Sequence, residues 1–481
     1  MANTQTIIGR KNELETLDRV YNSYKSEFLI LYGRRRVGKT FLVNQKFGEH
    51  FTFRITAVAN TTLNQQLINF QSAFNAAADS ALALSEVPKT WFEAFQSIIK
   101  LAEKDLRPRK VIFFDELPWF DTYGSDFLSA LEHFWNSWAS IRADVLLIGC
   151  GSAASWMINQ LIHNRGGLHN RITERIALQP FSLKETEEFL KWRGAVYDRY
   201  QLLELYMVMG GIPHYLENVQ VNRSVAQNID RMFFTPGGLL NLEYGDLYRS
   251  LFNNYEKYEA VVEALALKAK GLSRNELLKT AGLSDGGTVS NILEELEQSG
   301  FIKRYFPFGK SKRDALFQLV DQYSLFYLTF VKDSKAEGQG AWLVQFKSPK
   351  WQAWSGYAFE YLCRYHVQSI KKQLGVGSVY TEVSTWRSQY SEKGAQIDLV
   401  IDRNDRVINI CEIKFSVNQY RITKAYADNL RNKLTVFRTE TKTNKTLFLT
   451  MITTFGVSPN KYSEQLVNDS LDMNALFLEA Q

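Results

Sequence analysis

Cysteine is scarce in this chain: there are three in 481 residues, Cys150, Cys363 and Cys411. They are far apart, odd in number and set among apolar residues. Neither a disulfide framework nor a zinc-binding spacing can be drawn from them, and each reads as a buried free thiol. Long apolar runs are missing too. No stretch reaches the ~18–20 uninterrupted apolar residues that a membrane-spanning helix needs, so no membrane partner is expected. The N-terminus, Met-Ala-Asn-Thr-Gln-Thr-Ile-Ile-Gly-Arg, has no basic segment followed by an apolar one, as a signal peptide would, and a cytoplasmic location is the expectation. Repeats and low-complexity segments are absent. Charge of one sign does not dominate: 57 Lys and Arg against 51 Asp and Glu leave +6, which permits contact with nucleic acid without demanding it. What is present is an ordinary globular composition, 45% hydrophobic and 22% charged. The length is too great for one core, and two to four domains are expected.

The first third alternates helix and strand signals. Residues 12–24 form an amphipathic helix with Leu14, Leu17 and Val20 on one face. Short apolar strands are expected at 28–32, 51–55, 111–114 and 145–150, with helices at 40–47, 62–74 and 90–104. Such alternation implies a parallel sheet covered on both faces. From Phe181 the strand signal fades, and 182–258 reads as helices broken at Gly210-Gly211-Ile212-Pro213 and at Pro236-Gly237-Gly238. A second unit begins near Tyr255 as three helices and two strands. After a polar linker at 332–340, a third opens with a long helix near Trp351. It continues with strands at 396–401 and 407–415, a helix at 423–437 and a strand at 446–450.

Directly after the first strand stands Gly33-Arg34-Arg35-Arg36-Val37-Gly38-Lys39-Thr40. This is a phosphate-binding loop in its proper setting, strand before and helix after. Its glycines let backbone N–H groups curl around phosphate oxygens, and the helix N-terminus adds a positive dipole end. Lys39 would reach the β- and γ-phosphates of ATP, and Thr40 would ligate Mg²⁺. Val111-Ile112-Phe113-Phe114 ends in Asp115-Glu116. At the C-terminal end of a buried strand, where ligands bind in such sheets, Asp115 would hold the Mg²⁺ waters and Glu116 would polarise the attacking water. Ser152, after the strand at 145–150, is either a sensor between Asp115 and the γ-phosphate or the N-cap of the next helix. Arg165, Arg171 and Arg175 follow. Each is a candidate arginine finger for a neighbouring subunit, which would make the protein a homo-oligomer.

With these motifs in view, residues 7–220 resemble the archaeal-type ATPases, a branch near the STAND and Orc/Cdc6 AAA families. The resemblance rests on Ile8-Gly9-Arg10-x-x-Glu13-x-x-x-Leu17, the loop Gly33–Thr40 and Phe114-Asp115-Glu116. It extends to Cys150-Gly151-Ser152-x-x-Ser155-Trp156-Met157 and Gly210-Gly211-x-Pro213-x-Tyr215-Leu216. It implies that Ile8 and Gly9 lie near the adenine, as does Pro213 in a helical lid. The family's second sensor arginine has no counterpart here.

Residues 259–320 read as a winged helix. Ser273 caps its second helix, and a recognition helix at 288–299 turns Val289, Ile292, Leu293 and Leu296 inward. Lys310, Lys312 and Arg313 lie at the tip of the wing. Such a fold can place a helix in a DNA major groove, and a basic tip suits phosphate contact. Glu294, Glu295 and Glu297 on the same helix would repel phosphate, so DNA contact and a structural or protein-docking role both stay open.

Near the C-terminus, Gly394-Ala-Gln-Ile-Asp398 is followed by Cys411-Glu412-Ile413-Lys414. In a strand Glu412 and Lys414 share a face, and a hairpin would bring Asp398 beside them. Two carboxylates can hold Mg²⁺ or Mn²⁺ while the lysine orients a water. The pattern resembles the core of the PD-(D/E)xK nucleases, with Ile397 in place of the name-giving proline. Glu360 matches the helix acid those families often place before the core, as a further metal ligand. Lys424 and Tyr426 on the next helix are candidates for lining a DNA path. The whole arrangement resembles the archaeal ATPase proteins that carry a DUF234 domain. The expected fold class is therefore multidomain α/β. It comprises a P-loop AAA-type parallel-sheet domain at 1–180, a helical lid at 181–258, a winged helix at 259–335 and a restriction-endonuclease-like domain at 336–481. The expected function is an ATP-binding ATPase coupled to a Mg²⁺-dependent DNA endonuclease. The alternative is an ATP-dependent switch or scaffold whose nuclease fold is silent.

Overall fold

The computed structural model describes residues 6–162, 170–252, 254–268, 270–334, 338–390 and 394–479. The chain divides into two compact units, 1–180 and 181–481. In the first, five parallel strands β1 (Glu27–Tyr32), β2 (Phe51–Thr56), β3 (Lys110–Asp115), β4 (Val145–Gly151) and β5 (Glu174–Ala177) line up in the order β2-β3-β4-β1-β5. All of β3 and β4, and all of β1 but Tyr32, are buried. That is the signature of a parallel sheet with helices on both faces. One face packs on an aromatic core in which Trp91 meets Phe120 and Phe127 edge-on, with ring centres 5.3 and 5.0 Å apart. The helix Leu63–Ala77 starts at a reciprocal cap between Thr62 and Gln65, and Trp91–Lys104 starts at Thr90.

The second unit opens with helices, among them Leu183–Trp192, Arg199–Met209 and Leu239–Arg249. Next come the helices Tyr255–Ala266, Arg274–Ala281 and Gly287–Gln298 with a small antiparallel sheet. Its strands β6 (Leu272–Ser273), β7 (Ile302–Tyr305) and β8 (Leu316–Leu319) are ordered β6-β8-β7. Ser273 caps its helix reciprocally with Glu276. The chain then returns to the first helices of the unit. The Tyr323 hydroxyl donates to Leu240 O at 2.9 Å, and the hydroxyls of Tyr248 and Ser324 meet at 2.8 Å. Phe326, Trp342, Trp351 and Trp354 close the seam as an aromatic cluster. Of the linker expected at 332–340, residues 335–337 lie outside the described residues.

The C-terminal sheet is mixed. Its strands are β9 (Thr381–Arg387), β10 (Gln396–Arg403), β11 (Val407–Lys414), β12 (Thr446–Thr453) and β13 (Asp469–Leu471), in the order β13-β12-β11-β10-β9. β10 runs antiparallel to both β9 and β11, while β12 runs parallel to both β11 and β13. The helix Lys424–Thr441 makes the crossover that a parallel pair requires, burying Ala427, Leu430 and Phe437 against the sheet. The helix Pro349–Tyr365 precedes the sheet in sequence.

Four of these strands were not expected, the two-residue β6 among them. β5 and β9 each bury only one residue fully, Ile176 and Trp386, and β13 has three residues. Edge strands of this kind carry no apolar run to read. The hairpin tip between β7 and β8, read from the sequence as a basic wing tip suited to phosphate contact, packs on another part of the unit. The Phe308 N–H donates to Thr385 O of β9 at 2.8 Å, and the Phe308 ring packs 5.1 Å from Phe437. Lys310 Nζ donates to Gln389 at 2.8 Å. The tip is docked on the C-terminal sheet because Phe308 completes that sheet's core. Cys150, Cys363 and Cys411 are buried free thiols. Among the described residues no helix is long and apolar enough to cross a membrane.

One buried histidine makes stability depend on pH. His366 lies 3.0 Å from Leu362 O through Nδ1, and its Nε2 accepts the Leu183 N–H at 3.2 Å. Burial pushes its pKa down to about 4, so the folded chain keeps it neutral. The unfolded chain takes up the proton near ~6.5. The stabilisation is complete above that value and is lost as pH falls towards 4. The denaturant midpoint of the parent protein is expected to fall more steeply through this window than that of His366→Gln. Parallel profiles would show that His366 does not carry the effect.

Candidate functional site

The phosphate loop bridges β1 and the helix Lys39–Phe47. Gly33 adopts φ +145°, and a Cβ there would sit 2.3 Å from Leu178 O, so no larger residue fits. Gly38 adopts φ +91° with nothing within 4 Å of an added Cβ, and Arg36 also turns left-handed at φ 69°. These alternating conformations leave an open concavity of the kind that backbone N–H groups build for anions. Arg34, Val37 and Lys39 are buried, while Arg35, Arg36 and Thr40 are half-buried. Lys39 Nζ donates to Gly33 O at 2.9 Å and Arg34 O at 3.0 Å. Its ammonium is therefore held over the loop.

Thr40 Oγ1 donates to Asp115 Oδ2 at 2.9 Å, so hydroxyl and carboxylate converge beside the loop. Burial, and then the charge of Glu116, raise the Asp115 carboxyl above its ordinary range. A cation at that point would relieve both effects, and this pair of hard oxygen donors suits Mg²⁺. Glu116 stands at φ 53°, just past the end of β3. Its carboxylate accepts from the Ser152 hydroxyl at 2.8 Å and from the Ser152 N–H at 3.2 Å. Of the two expectations for Ser152, the N-cap is overturned. Ser152 engages Glu116 rather than Asp115, and the next helix starts after Ala153 with no side-chain cap.

Sequence reasoning gave Arg10 no role. Its buried guanidinium donates to Gln179 O at 2.7 Å and to Val37 O at 3.0 Å, which braces the phosphate loop against the strand-end segment behind it. The signal was its place directly after Ile8 and Gly9, where Gly9 has φ 69°. Ile8 and Gly9 are half-buried. Arg171 and Arg175 are exposed, and Arg165 lies outside the described residues. Pro213 belongs to the second unit, where it opens the helix Pro213–Glu217.

The C-terminal sheet gathers the other group. The Ile413 N–H donates to Asp398 Oδ2 at 3.2 Å across the β10–β11 hairpin. Lys414 Nζ lies 2.9 Å from Glu412 Oε1. Glu412 accepts two further bonds at 2.5 Å, from Tyr426 and from Lys433. Burial disfavours the Glu412 charge, but Lys414 and Lys433 outweigh it and hold the carboxyl below its ordinary range. Burial and the neighbouring Asp398 push Glu360 up to about 7, and burial and Glu412 raise Asp398. Lys433 was not foreseen, since nothing in its surroundings in the sequence sets it apart. Tyr426 reaches the carboxylate itself, and Lys424 is exposed. Among the described residues no three His, Cys, Asp or Glu side chains are arranged to hold a metal ion. The two ammonium groups on Glu412 fill the role that a cation would otherwise have there.

Residues 7–219 match the model of an ATPase domain found predominantly in Archaea. That stretch is an archaeal-type ATPase domain. Similarity beyond the domain is lower but long. The Methanocaldococcus jannaschii protein MJECL04 is 23% identical over 429 residues, 88% of this chain and 91% of that protein. The ATP-binding protein MJ0423 of the same organism is 56% identical over 43 residues, 9% of this chain and 71% of its own length. The Walker-type ATPase PABY2304 of Pyrococcus abyssi shares the fold. It is 18% identical with a TM-score of 0.50, covering 67% of this chain and 96% of that one.

For the archaeal-type ATPase domain, Lys39→Ala is expected to abolish binding of a fluorescent ATP analogue. Glu116→Gln should keep that binding and cut hydrolysis by ~10²-fold or more, the lower end of what a positioned base contributes. Near-parental turnover in Glu116→Gln would remove Glu116 from the chemistry.

Proposed function

We propose that this protein is an ATP-dependent switch whose C-terminal sheet cuts DNA. In the ATPase domain Lys39 would neutralise the β- and γ-phosphates, while Thr40 and Asp115 would hold Mg²⁺. Glu116, kept in place by Ser152, would draw the proton from the attacking water. The adenine contacts expected of Ile8, Gly9 and Pro213 belong to the same reading. So does a homo-oligomer in which exposed Arg171 or Arg175 serves a neighbouring subunit.

The convergence of Glu360, Asp398, Glu412 and Lys414 at the C-terminal sheet carries the second half. Three antiparallel strands, a crossover helix and a parallel strand follow the helix that bears Glu360, and this mixed sheet supports the reading as a PD-(D/E)xK nuclease-like core. Asp398 and Glu360 offer the hard oxygen ligands that a divalent ion takes. Such an ion, when bound, supplies Lewis-acid polarisation of the scissile phosphate. Lys414, anchored by Glu412, would orient the attacking water. The three helices and small sheet at 255–319 read as a winged helix. Two of the acids expected to repel phosphate are engaged within the fold: Glu295 accepts from Tyr258, and Glu297 pairs with Arg304, both at 2.5 Å.

One observation favours the second reading, a silent site that serves for docking. Glu412 is already neutralised by two lysines and bonded to Tyr426. Labelled duplex, single-stranded, forked and junction DNAs incubated with Mg²⁺ or Mn²⁺, with and without ATP, decide between the two. Cutting that disappears in Glu412→Ala and Lys414→Ala, and responds to ATP only when Lys39 is intact, is the expected result. No cutting of any substrate by protein that still binds ATP would establish the docking reading.

A further inference from the structure

Inside the second unit, a cleft of about 220 Å³ separates the segment that bears β6–β8 from the C-terminal sheet. Glu360 and Asp398 line it, and so do the cations Lys270 and Arg364 and the rings of Tyr357 and Trp386. We propose that this cleft takes one unpaired strand of DNA, so that the substrate of the C-terminal site is a single strand or a single-stranded end rather than a closed duplex. The inference rests on the reading of that site as a nuclease and names its substrate class.

Four observations carry it. The first is size. Pockets that take a whole drug-sized ligand run to ~300–1,000 Å³, so this cleft has room for a phosphodiester and its sugar but not for two paired strands. The second is that the roof is fastened. Phe308 N–H to Thr385 O and Lys310 to Gln389 tie the β7–β8 tip to the sheet at 2.8 Å each. Lys270 Nζ donates to Gln396, which also lines the cleft. A duplex laid on the sheet would have to break these ties, whereas an end could thread beneath them.

The third is the chemistry of the walls. Cations beside exposed aromatic faces are how single strands are held without regard to sequence, the cations tracking phosphates and the rings stacking on bases. Tyr357, 40% exposed, offers such a face, whereas Trp386 is buried against Phe437 and only backs the wall. The fourth is an unmet donor. The Arg364 guanidinium lies 5.0 Å over the Tyr305 ring, and its Nε is buried with no hydrogen-bond partner among the described residues. The half-buried Arg364 side chain also lines the cleft, so its fixed positive charge stands beside the two acids where a phosphate would enter.

The test is a fluorescence-polarisation titration of the full chain in EDTA. The probes are one labelled oligonucleotide single-stranded, the same sequence as a blunt duplex, and a duplex with a single-stranded overhang. The single strand and the overhang are expected to bind about tenfold or more tighter than the blunt duplex. Lys270→Ala combined with Arg364→Ala should erase that preference and reduce the salt slope by about 1.4, at ~0.7 per phosphate contact on single strands. Lys270→Glu, at an exposed position that does not threaten folding, should weaken single-strand binding in the same direction. Equal affinity for the blunt duplex, or unchanged single-strand binding in Lys270→Glu, overturns the proposal.

A cleavage series with Mn²⁺ on the same DNAs separates the two readings. Expected binding without any cutting sinks the nuclease reading and leaves the cleft as a single-strand binding site. Cutting within the blunt duplex that Glu412→Ala abolishes sinks this one and keeps the nuclease.

Discussion

Burying three strands on both faces is the constraint from which the first unit follows. β1, β3 and β4 have apolar interiors because helices cover both sides of the sheet. Polar groups can then appear only where the strands end. The phosphate loop follows β1, Asp115 and Glu116 end β3, and Ser152 follows β4. Because the strands are parallel and adjacent, these ends fall at one edge. The bonds from Thr40 to Asp115 and from Ser152 to Glu116 are consequences of that alignment. Arg10 adds the brace that keeps the loop open, by occupying two carbonyls behind it.

The C-terminal sheet meets a similar problem with a different solution. Its carboxylates sit inside the fold, on strands whose neighbours are apolar, and burying charge without partners is costly. Glu412 is stabilised by two ammonium groups and a hydroxyl. Asp398 has one backbone N–H, and its charge is disfavoured by burial and by Glu412. The site is thus divided. One carboxylate is satisfied by the protein itself, and the other two, Asp398 and Glu360, face the cleft with a deficit of positive charge.

Within the second unit the helices that follow Phe181 are bound firmly to this sheet. The Tyr200 ring stacks 5.4 Å from Phe415 and 5.5 Å from Phe455, the first residues beyond Lys414 of β11 and near the end of β12. Phe359, next to Glu360, packs on the same Phe415 ring at 5.5 Å. His366 receives the first free N–H of the helix Leu183–Trp192. A displacement of those helices would therefore be felt at Lys414 and Glu360, through aromatic packing that resists gradual deformation.

The sequence by itself determined what depends on neighbours along the chain. The phosphate loop needs Gly33 and Gly38 at fixed spacing. The buried strands need unbroken apolar runs, and the alternation of β11 puts Glu412 and Lys414 on one face. Each of these can be read from a few consecutive residues, because backbone conformation and side-chain direction are local properties. The tertiary structure alone decided what depends on contacts between distant segments. Edge strands β5, β9 and β13 draw their pairing from a neighbour rather than from an apolar pattern of their own. Ser152 chose Glu116 over Asp115 because β3 and β4 end side by side. Lys433, nineteen positions after Lys414 on a helix, meets Glu412 only when that helix crosses the sheet. The hairpin tip at Phe308 is held by a core that belongs to another part of the chain. Such contacts are selected by packing and by the cost of unpaired buried charge, and neither is written in the order of residues around them.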